Sequence, residues 1–275
     1  MPLAPLGFDY NVIPLGYYQQ VLETGSPIRK AWHLQKFERV IECLPKMSGQ
    51  SILDIGCFAG TFLSLLPQKT FKTQLGVDIL EKQIDYANER FGTSYRSFRY
   101  IPSVSELGQI HQTFDCITLI EVIEHLTEAE ICELFRQIDK RLNTGGTLVL
   151  STPNYLSLWP LLEIAVNRLS DVSYAEQHVT KFSYPTCVSK LKRISETLAS
   201  DFELMGRTTT HFLSPFLAAL SFSGAMRLSR LIPFKTWKNP LGSLILLSFR
   251  KTAGVQAEPD LVPFPGVERN RRLAA

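Results

Sequence analysis

Apolar runs of strand length alternate with helical patterns along most of this 275-residue chain. Strands of a buried parallel sheet read as continuous apolar runs, and the crossover helices between them repeat apolar residues every three or four positions. The runs are, in order, SILDIG, TQLGVDI, FRYI, FDCITLI, GTLVLSTP, FELMGRTTT and GSLILLSFR. The alternation therefore predicts an α/β domain built on a mostly parallel, doubly wound sheet.

Changes in composition divide the chain into three parts. Residues 1–27 are rich in Pro, Gly and Tyr and are predicted to form an N-terminal extension. From Ile28 to Leu44, apolar residues recur at helical spacing, which predicts a helix laid over the edge of the sheet. The α/β domain is expected to span residues 28–252. The tail, residues 253–275, has little apolar surface to bury and is expected to be disordered.

Charge and cysteine usage narrow the class of protein. The formal net charge is only +3, with Lys and Arg scattered along the chain, which argues against a nucleic-acid partner and leaves a small-molecule substrate. The five cysteines form no C-x-x-C pair, so neither a disulfide framework nor a zinc knuckle is expected. The first residues lack the pattern of a signal peptide, and no apolar window reaches the roughly 18 residues of a spanning helix. We therefore expect a cytoplasmic protein.

The segment SILDIGCFAG places a glycine turn directly after the first predicted strand. Ligands of open α/β sheets collect at the carboxyl ends of central strands, and Gly56 and Gly60 would let the backbone approach a ligand closely. Asp54 would repel a pyrophosphate, and the G-x-G-x-x-G spacing of dinucleotide loops is absent, so NAD is disfavoured. Asp78 ends the next strand about 20 residues after Gly56, where a carboxylate grips the two hydroxyls of a ribose. The pattern favours a ribose-containing cofactor other than NAD, although a tight turn at Gly56 and Gly60 and a helix cap at Asp78 would explain each residue on its own equally well.

Four motifs, found in order over residues 50–155, resemble those of the class I S-adenosylmethionine-dependent methyltransferases, the ubiquinone-type O-methyltransferases among them. The motifs are ILDIGCFAGTF, LGVDI, FDCITLIEVIEHL and GGTLVLSTPN. The resemblance implies a Rossmann-like, seven-stranded sheet with an antiparallel last strand. It also implies S-adenosyl-L-methionine across the ends of the first two strands and the substrate above the fourth. Two positions depart from the family pattern: Phe58 stands where many relatives carry glycine, and Ser103 stands where an Asp commonly holds the adenine amine.

The same resemblance indicates which residues contact the cofactor. They are Asp54, Gly56, Cys57, Gly60, Asp78, Ile79, Ser103, Ile120 and Glu121. In relatives an N-terminal helix covers the methionine end of the cofactor, and a basic residue there can hold its carboxylate. Trp32, His33 and Lys36 are the candidates in this chain, although aromatic packing on the sheet edge explains such residues equally well. His111 and His211 have no partners in sequence and are interpreted as structural or exposed.

A cluster of carboxylates and histidines follows the fourth predicted strand. In LIEVIEHLTEAE, a helical turn would bring Glu121, Glu124 and His125 onto one face. Some relatives with a similar E-x-x-E-H bind a divalent metal with help from a later histidine, a position that His178 could fill. Two carboxylates and two imidazoles suit Mg²⁺, Mn²⁺ or Zn²⁺, although Mg²⁺ prefers more oxygen ligands. Such a metal would activate an acceptor hydroxyl.

Two metal-free interpretations of this cluster stay open. In the first, His125 acts as the general base with Glu124 beside it, because an imidazole ordinarily has a pKa of about 6.5. In the second, Glu121 contacts the cofactor and Glu124 caps the local chain. The catalytic residues that the sequence indicates are therefore His125 and Glu124.

Two apolar insertions are expected, one after the fifth strand (residues 154–176) and one after the sixth (residues 211–240). They could wall a pocket for an aromatic or lipid-like substrate, or press on the inner face of a membrane as a peripheral contact. Helices packed on the domain are the third interpretation. The aromatic residues involved are Trp159, Phe212, Phe216, Phe222 and Trp237, and the basic residues are Arg227, Arg230, Lys235 and Lys238.

The sequence thus favours a methyltransferase that transfers the methyl group of S-adenosyl-L-methionine to an oxygen of a small aromatic, lipid-like or glycan acceptor. A catalytically silent methyltransferase-like module that binds a partner through the insertions is the main alternative. A nicotinamide-dependent oxidoreductase is a third hypothesis, which the loop spacing and Asp54 disfavour.

Overall fold

The computed structural model of the protein describes residues 10–157, 178–212, 214–231 and 240–252. Within these residues the chain forms one seven-stranded sheet with the strand order β3-β2-β1-β4-β5-β7-β6. The strands are β1 (Gln50–Ile55), β2 (Phe71–Asp78), β3 (Arg96–Tyr100), β4 (Phe114–Ile120), β5 (Leu142–Pro153), β6 (Phe202–Thr210) and β7 (Leu244–Lys251). Neighbours from β3 to β5 are parallel, and β7 is antiparallel to both β5 and β6. The predicted Rossmann-like sheet with an antiparallel last strand is confirmed.

Strand order reverses between β1 and β4, which places a crevice at their carboxyl ends. Leu53 of β1 lies beside Leu75 of β2 on one side and beside Ile117 of β4 on the other. These central strands are buried on both faces, which explains their nearly continuous apolar sequences. The glycine turn and the carboxylate and histidine cluster both follow strands that end at this crevice.

Helices cover both faces of the sheet. α2 begins at Pro27, a residue suited to the first helical position, and the Ser26 hydroxyl accepts a hydrogen bond from the N–H of Arg29. α5 begins with a capping box between Thr127 and Glu130. The α-helices are α1 (Tyr17–Thr24), α2 (Pro27–Cys43), α3 (Thr61–Ser64), α4 (Glu81–Phe91), α5 (Glu128–Arg141), α6 (Cys187–Ile194), α7 (Glu196–Asp201), α8 (Ser214–Leu217) and α9 (Phe222–Leu231). Short 3₁₀ helices span Tyr10–Val12, Val104–Gln109 and Ile123–His125.

Successive residues of the central strands point into two separate cores, one on each face. Ile52 belongs to a cluster with Phe37 and Val40 of α2, whereas Leu53 belongs to a cluster with Phe135 of α5. Each fully buried side chain of this kind stabilises the fold by about 1.5–3 kcal/mol. The two cores fix the sheet between its helical layers.

Two element boundaries differ from the sequence-based expectation. β5 begins at Leu142, before the GTLVLSTP run, because its ladder with β4 continues through a register shift between Phe114 and Cys116. The sequence pattern predicts a helix from Thr61 to Leu66, but α3 ends at Ser64, because Pro67 disfavours a helical conformation at the residue before it.

The described part of the N-terminal extension, residues 10–27, packs on the domain. The N–H of Gly16 donates to Oε1 of Gln83 at 3.1 Å, and Nε2 of Gln83 donates to the carbonyl of Pro14 at 3.3 Å. Other predictions lie outside the described residues: the disordered tail 253–275, most of the first insertion including Trp159, and Lys235, Trp237 and Lys238 of the second.

The described part of the second insertion forms two helices that pack on α2. Ala218, Ala225 and Met226 form a buried cluster with Ala31 of α2. The inner side of α8 and α9 therefore supports the third interpretation, in which the insertion forms helices packed on the domain. The outer side of these helices is exposed.

Candidate active site

The turn after β1 is shaped by residues in the left-handed region. Gly56 has a φ of 77° and Gly60 a φ of 76°, and an added Cβ would lie 2.4 Å from Val122 or 2.5 Å from Phe98, respectively. Phe58 adopts the same region with a φ of 49°. Its N–H donates to Oδ2 of Asp78 at 2.7 Å, which offsets the strain of that conformation. The departure from glycine at Phe58 therefore keeps the left-handed backbone.

Two buried carboxylates flank this turn. Asp78, at the end of β2, accepts hydrogen bonds from the N–H groups of Phe58 and Leu80, and burial raises its pKa to about 6 against their effect. Asp54, within β1, accepts a hydrogen bond from Oγ1 of Thr118 at 2.6 Å, and burial raises its pKa to about 7. A hydroxyl or cationic group of a ligand would stabilise the charged form of either carboxylate.

Lys36 and Glu121 form an ion pair beside the turn. Lys36 is only 1% exposed, and its ammonium lies 4.8 Å from the centre of the Tyr18 ring. Burial alone would raise the pKa of Glu121, but the charge and hydrogen bond of Lys36 hold that pKa below its usual value. Lys36, one of the candidates for the methionine end of the cofactor, is therefore buried and paired with Glu121.

Glu121 does not share one helical face with Glu124 and His125, so this expectation is wrong. The backbone of Glu121 is left-handed, with a φ of 55°, and the 3₁₀ helix begins only at Ile123. This reversal turns the Glu121 side chain to Lys36 and separates it from the residues that follow.

Glu124, His125 and His178 converge on one point. One donor atom of each lies within 4.8 Å of the others, and the two imidazole rings are 5.1 Å apart. The hydroxyl of Tyr10 is hydrogen-bonded to Nδ1 of His125 at 3.0 Å, and the hydroxyl of Tyr155 is hydrogen-bonded to Nδ1 of His178 at 2.7 Å. Each ring is thus oriented by a tyrosine.

Glu124 is completely buried, and neither of its carboxylate oxygens accepts a hydrogen bond within the described part of the chain. Burial raises the pKa of Glu124 well above its usual value, and the charge of Glu121 raises it further, while the nearby Thr152 hydroxyl has a smaller opposite effect. Burial lowers the pKa of His178 to about 3. At neutral pH the cluster therefore holds an uncharged His178 beside a Glu124 carboxyl that favours its neutral form.

The N-terminal helix contacts the end of β6 through Trp32. The Trp32 and His211 rings are 4.4 Å apart, and Nε2 of His211 donates to the carbonyl of Trp32 at 2.7 Å. His211 is only 1% exposed, and this burial agrees with the interpretation of His211 as a structural residue. His111 is exposed. His33 packs on Tyr18, with ring centres 4.8 Å apart.

The other expected cofactor residues lie at or near the carboxyl edge of the sheet. Cys57, in the glycine turn, is buried, and burial raises the pKa of its thiol well above the usual value. Ile79 directly follows β2 and is 46% exposed, and Ile120 is the last residue of β4. Ser103 follows β3, and its hydroxyl is hydrogen-bonded to that of Ser105 at 2.8 Å.

Three tyrosines contact these groups without a signal in the sequence pattern. Tyr10 and Tyr18 belong to the N-terminal extension, where only an enrichment in tyrosine was visible, and Tyr155 lies at the start of the first insertion. No periodicity links them to the histidines or to Lys36, because the contacts depend on chain segments far apart in sequence.

A parallel sheet with a glycine turn after β1, an acidic residue at the end of β2 and a polar cluster after β4 defines a Rossmann-like enzyme with a nucleoside cofactor. Residues 31–193 match the family model described as a methyltransferase domain. The chain belongs to this family and is a class I S-adenosylmethionine-dependent methyltransferase. Membership of this family implies S-adenosyl-L-methionine as the cofactor and gives no support to the hypothesis of a nicotinamide-dependent oxidoreductase.

The chain is similar to two curated O-methyltransferases. It is 27% identical over 190 residues to a small RNA 2'-O-methyltransferase of Arabidopsis thaliana, and the matched region is 63% of this chain and 20% of that protein. It is 28% identical over 152 residues to a ubiquinone biosynthesis O-methyltransferase of Bradyrhizobium diazoefficiens, and the matched region is 55% of this chain and 54% of that protein. The matched region is thus about half of the second relative and a smaller part of the first.

The fold is also similar to solved structures. The crystal structure of an S-adenosylmethionine-dependent methyltransferase from Mesorhizobium loti superposes with a TM-score of 0.54 at 18% identity, over 79% of this chain and 98% of that chain.

None of the helices within the described residues combines the length and hydrophobicity needed to cross a membrane.

Proposed function

We propose that the protein methylates a hydroxyl oxygen of a small aromatic, lipid-like or glycan acceptor. The observation that carries this proposal is the half-buried His125 next to the buried Glu124 after β4, with the His125 ring held by Tyr10. An imidazole fixed at this edge of the sheet is suited to remove the proton of an acceptor hydroxyl. The names of both curated relatives, which are O-methyltransferases, support an oxygen acceptor.

The cofactor is proposed to lie along the turn after β1 and the end of β2. Gly56, Cys57 and Gly60 would let it approach the backbone, Asp78 would accept from the ribose hydroxyls, and Asp54 would face its cationic end. Ile79, Ser103 and Ile120 would line the adenine and ribose end. Two buried carboxylates whose pKa values are raised by burial would be stabilised in their charged forms by hydroxyl and cationic groups, so these residues fit S-adenosyl-L-methionine.

The tautomer of His125 decides which nitrogen takes the proton. With a hydrogen on Nδ1, His125 donates to the Tyr10 hydroxyl oxygen and carries its lone pair on Nε2. Nε2 then accepts the proton of the acceptor hydroxyl, while the cofactor supplies an activated methyl group. Glu124 lies beside His125 as a carboxyl that burial holds in its neutral form, so the acceptor's proton goes to His125 alone.

A metal ion at Glu124, His125 and His178 is the alternative. The buried Glu124 oxygens accept no hydrogen bond from described residues, and Tyr10 and Tyr155 are placed as the outer partners that orient metal-binding imidazoles. One carboxylate and two imidazoles suit Zn²⁺ or Mn²⁺ better than Mg²⁺. The metal would supply Lewis-acid activation of the hydroxyl. Glu121, a predicted fourth ligand, is paired with Lys36 instead.

The proposal is tested with purified protein, S-adenosyl-L-methionine and pairs of acceptors that differ only in a hydroxyl or an amine. Mass spectrometry of the products identifies the methylated atom. We expect methylation of the hydroxyl members, lost in His125→Ala and retained in His111→Ala, an exposed histidine outside the cluster. Methylation of amines alone, or full activity of His125→Ala, would refute the proposal.

A further inference from the structure

We propose that the outer side of α8 and α9 docks on an anionic membrane surface. The proposal does not depend on which acceptor the enzyme methylates. The docking surface is defined by seven exposed apolar residues: Phe212, Phe216, Leu217, Leu220, Phe222, Leu228 and Leu231.

The exposed side of α9 carries leucines beside its two arginines. Ala225, Met226 and Ser229 face α2 and are buried. Leu228 and Leu231 are 40% and 76% exposed on the same helix. A surface helix of a soluble domain normally turns polar residues to water. The exposed leucines of α9 are therefore left without the burial that their chemistry favours.

The shape of the docking surface favours a bilayer over a protein partner. Leu220, in the turn before α9, is 88% exposed, and Leu231, at the end of α9, is 76% exposed. A protein would need a separate pocket for each protruding side chain, whereas lipid hydrocarbon accepts both without shape matching. Helices that lie in the membrane interface bury leucine and phenylalanine side chains at the boundary between headgroups and acyl chains and carry basic residues on their polar face.

The charges around the docking surface suit anionic headgroups. Residues 204–257 contain no Asp or Glu. Arg227 and Arg230 on α9 are exposed, and Arg230 also pairs with Glu38 of α2 at 2.6 Å. Basic residues near a membrane surface each strengthen binding to anionic lipid, and a carboxylate would weaken it.

The docking surface lies at the same edge of the sheet as the candidate active site. β6 runs antiparallel to β7, which runs antiparallel to β5, so β6 ends at the edge where β4 and β5 end. His211 directly follows β6 and contacts Trp32, one helical turn from Lys36. A membrane-dissolved acceptor would thus meet the enzyme beside the strand ends that carry the site.

Co-sedimentation with lipid vesicles tests this proposal on the full chain. One set of vesicles is pure phosphatidylcholine, and in the other a third of the lipid is phosphatidylglycerol. We expect binding to the anionic vesicles that weakens as salt is raised. Leu220→Asp combined with Leu231→Asp should lower this binding at least about ten-fold, and Arg227→Ala should lower it about five-fold.

Met47→Asp is the matched control, because Met47 is 72% exposed between α2 and β1, outside the docking surface. It should bind vesicles as the wild type does, and unchanged affinity for S-adenosylhomocysteine shows that each variant is folded. Absence of wild-type binding, or equal binding by the double leucine variant, overturns the proposal. A wild-type dimer in sedimentation equilibrium that the double variant converts to monomer also overturns it, since the surface would then join two copies of the chain.

Discussion

Lys36 on α2 and Glu121 at the end of β4 form a buried ion pair that ties the N-terminal helix to the central crevice of the sheet. Glu121 meets Lys36 because its backbone is left-handed at the point where β4 ends. Removing one partner of such a pair leaves the other charge buried without compensation. The pair is therefore expected to contribute to stability and to keep Lys36 in place beside the turn after β1, the proposed cofactor loop.

We expect Lys36→Met to destabilise the protein by about 3 kcal/mol at neutral pH. The folded-state pKa of Glu121 is depressed, so its contribution is present above the unfolded pKa of about 4.3 and is lost as pH falls through the folded value. The difference between wild type and variant should shrink accordingly in acid. Urea unfolding at neutral and acidic pH measures it. Arg29→Met is the control, since Arg29 is on the same helix and exposed. A destabilisation independent of pH would contradict the assignment.

Asp54→Asn should stabilise the cofactor-free protein at high pH. Burial raises the folded pKa of Asp54 to about 7, so its contribution is present below the unfolded pKa of about 3.9 and is lost as pH rises through 7. Asparagine keeps the hydrogen bond from Thr118 without the charge. We expect the variant to gain on the order of 1–3 kcal/mol above pH about 7 and little near pH about 4.

Denaturant unfolding across this pH range checks the effect. Asp85→Asn on the exposed side of α4 should show no such dependence. Equal stability of wild type and Asp54→Asn at every pH would mean that Asp54 is well solvated in the folded protein.

The fold and the glycine turn after β1 could be predicted because their signals are local. Gly56, Gly60 and Asp78 stand at fixed positions relative to apolar strand runs, and the parallel strands bring them to one edge. Glu121 shows the limit of this reasoning. A helical turn was the natural interpretation of its spacing from Glu124, but a single left-handed residue redirects the side chain, and that conformation is uncommon for glutamate.

The tyrosine contacts could not be predicted for a different reason. Tyr10 reaches His125 across more than a hundred residues of sequence, and the contact exists only because the N-terminal segment packs at the start of α4 through Gln83. Long-range packing of a segment without periodicity leaves no trace in the local pattern.

Tyr10→Phe should lower the turnover number about ten-fold or more while leaving the affinity for S-adenosylhomocysteine unchanged. The hydroxyl of Tyr10 fixes the His125 ring, so its loss frees the ring without touching the cofactor loop. The pH profile of kcat should also shift, which a purely structural role of Tyr10 would not produce. Tyr95→Phe is the control for loss of a tyrosine hydroxyl, because Tyr95 directly precedes β3 and so lies away from the carboxyl ends of the strands. Equal loss of cofactor affinity and turnover would instead assign Tyr10 to the cofactor.

The last prediction separates base chemistry from metal chemistry at Glu124, His125 and His178. Burial favours the neutral carboxyl of Glu124, and Glu121 is paired with Lys36, so only one carboxylate is available to a cation. We therefore expect activity to survive treatment with a chelator, while His125→Ala lowers kcat by about 10²- to 10⁴-fold.

Metal analysis of the purified protein and its Glu124→Gln and His178→Ala variants provides the second measurement. If His125 acts as the base, His178→Ala should retain more activity than His125→Ala, because His178 contacts no proton in the reaction. Stoichiometric Zn²⁺ or Mn²⁺ that both variants lose, with activity that chelation removes and the metal restores, would reverse the assignment. The buried oxygens of Glu124, which accept no hydrogen bond from the described residues, would then bind the metal directly. Glu121 would not bind it, because its carboxylate is paired with Lys36.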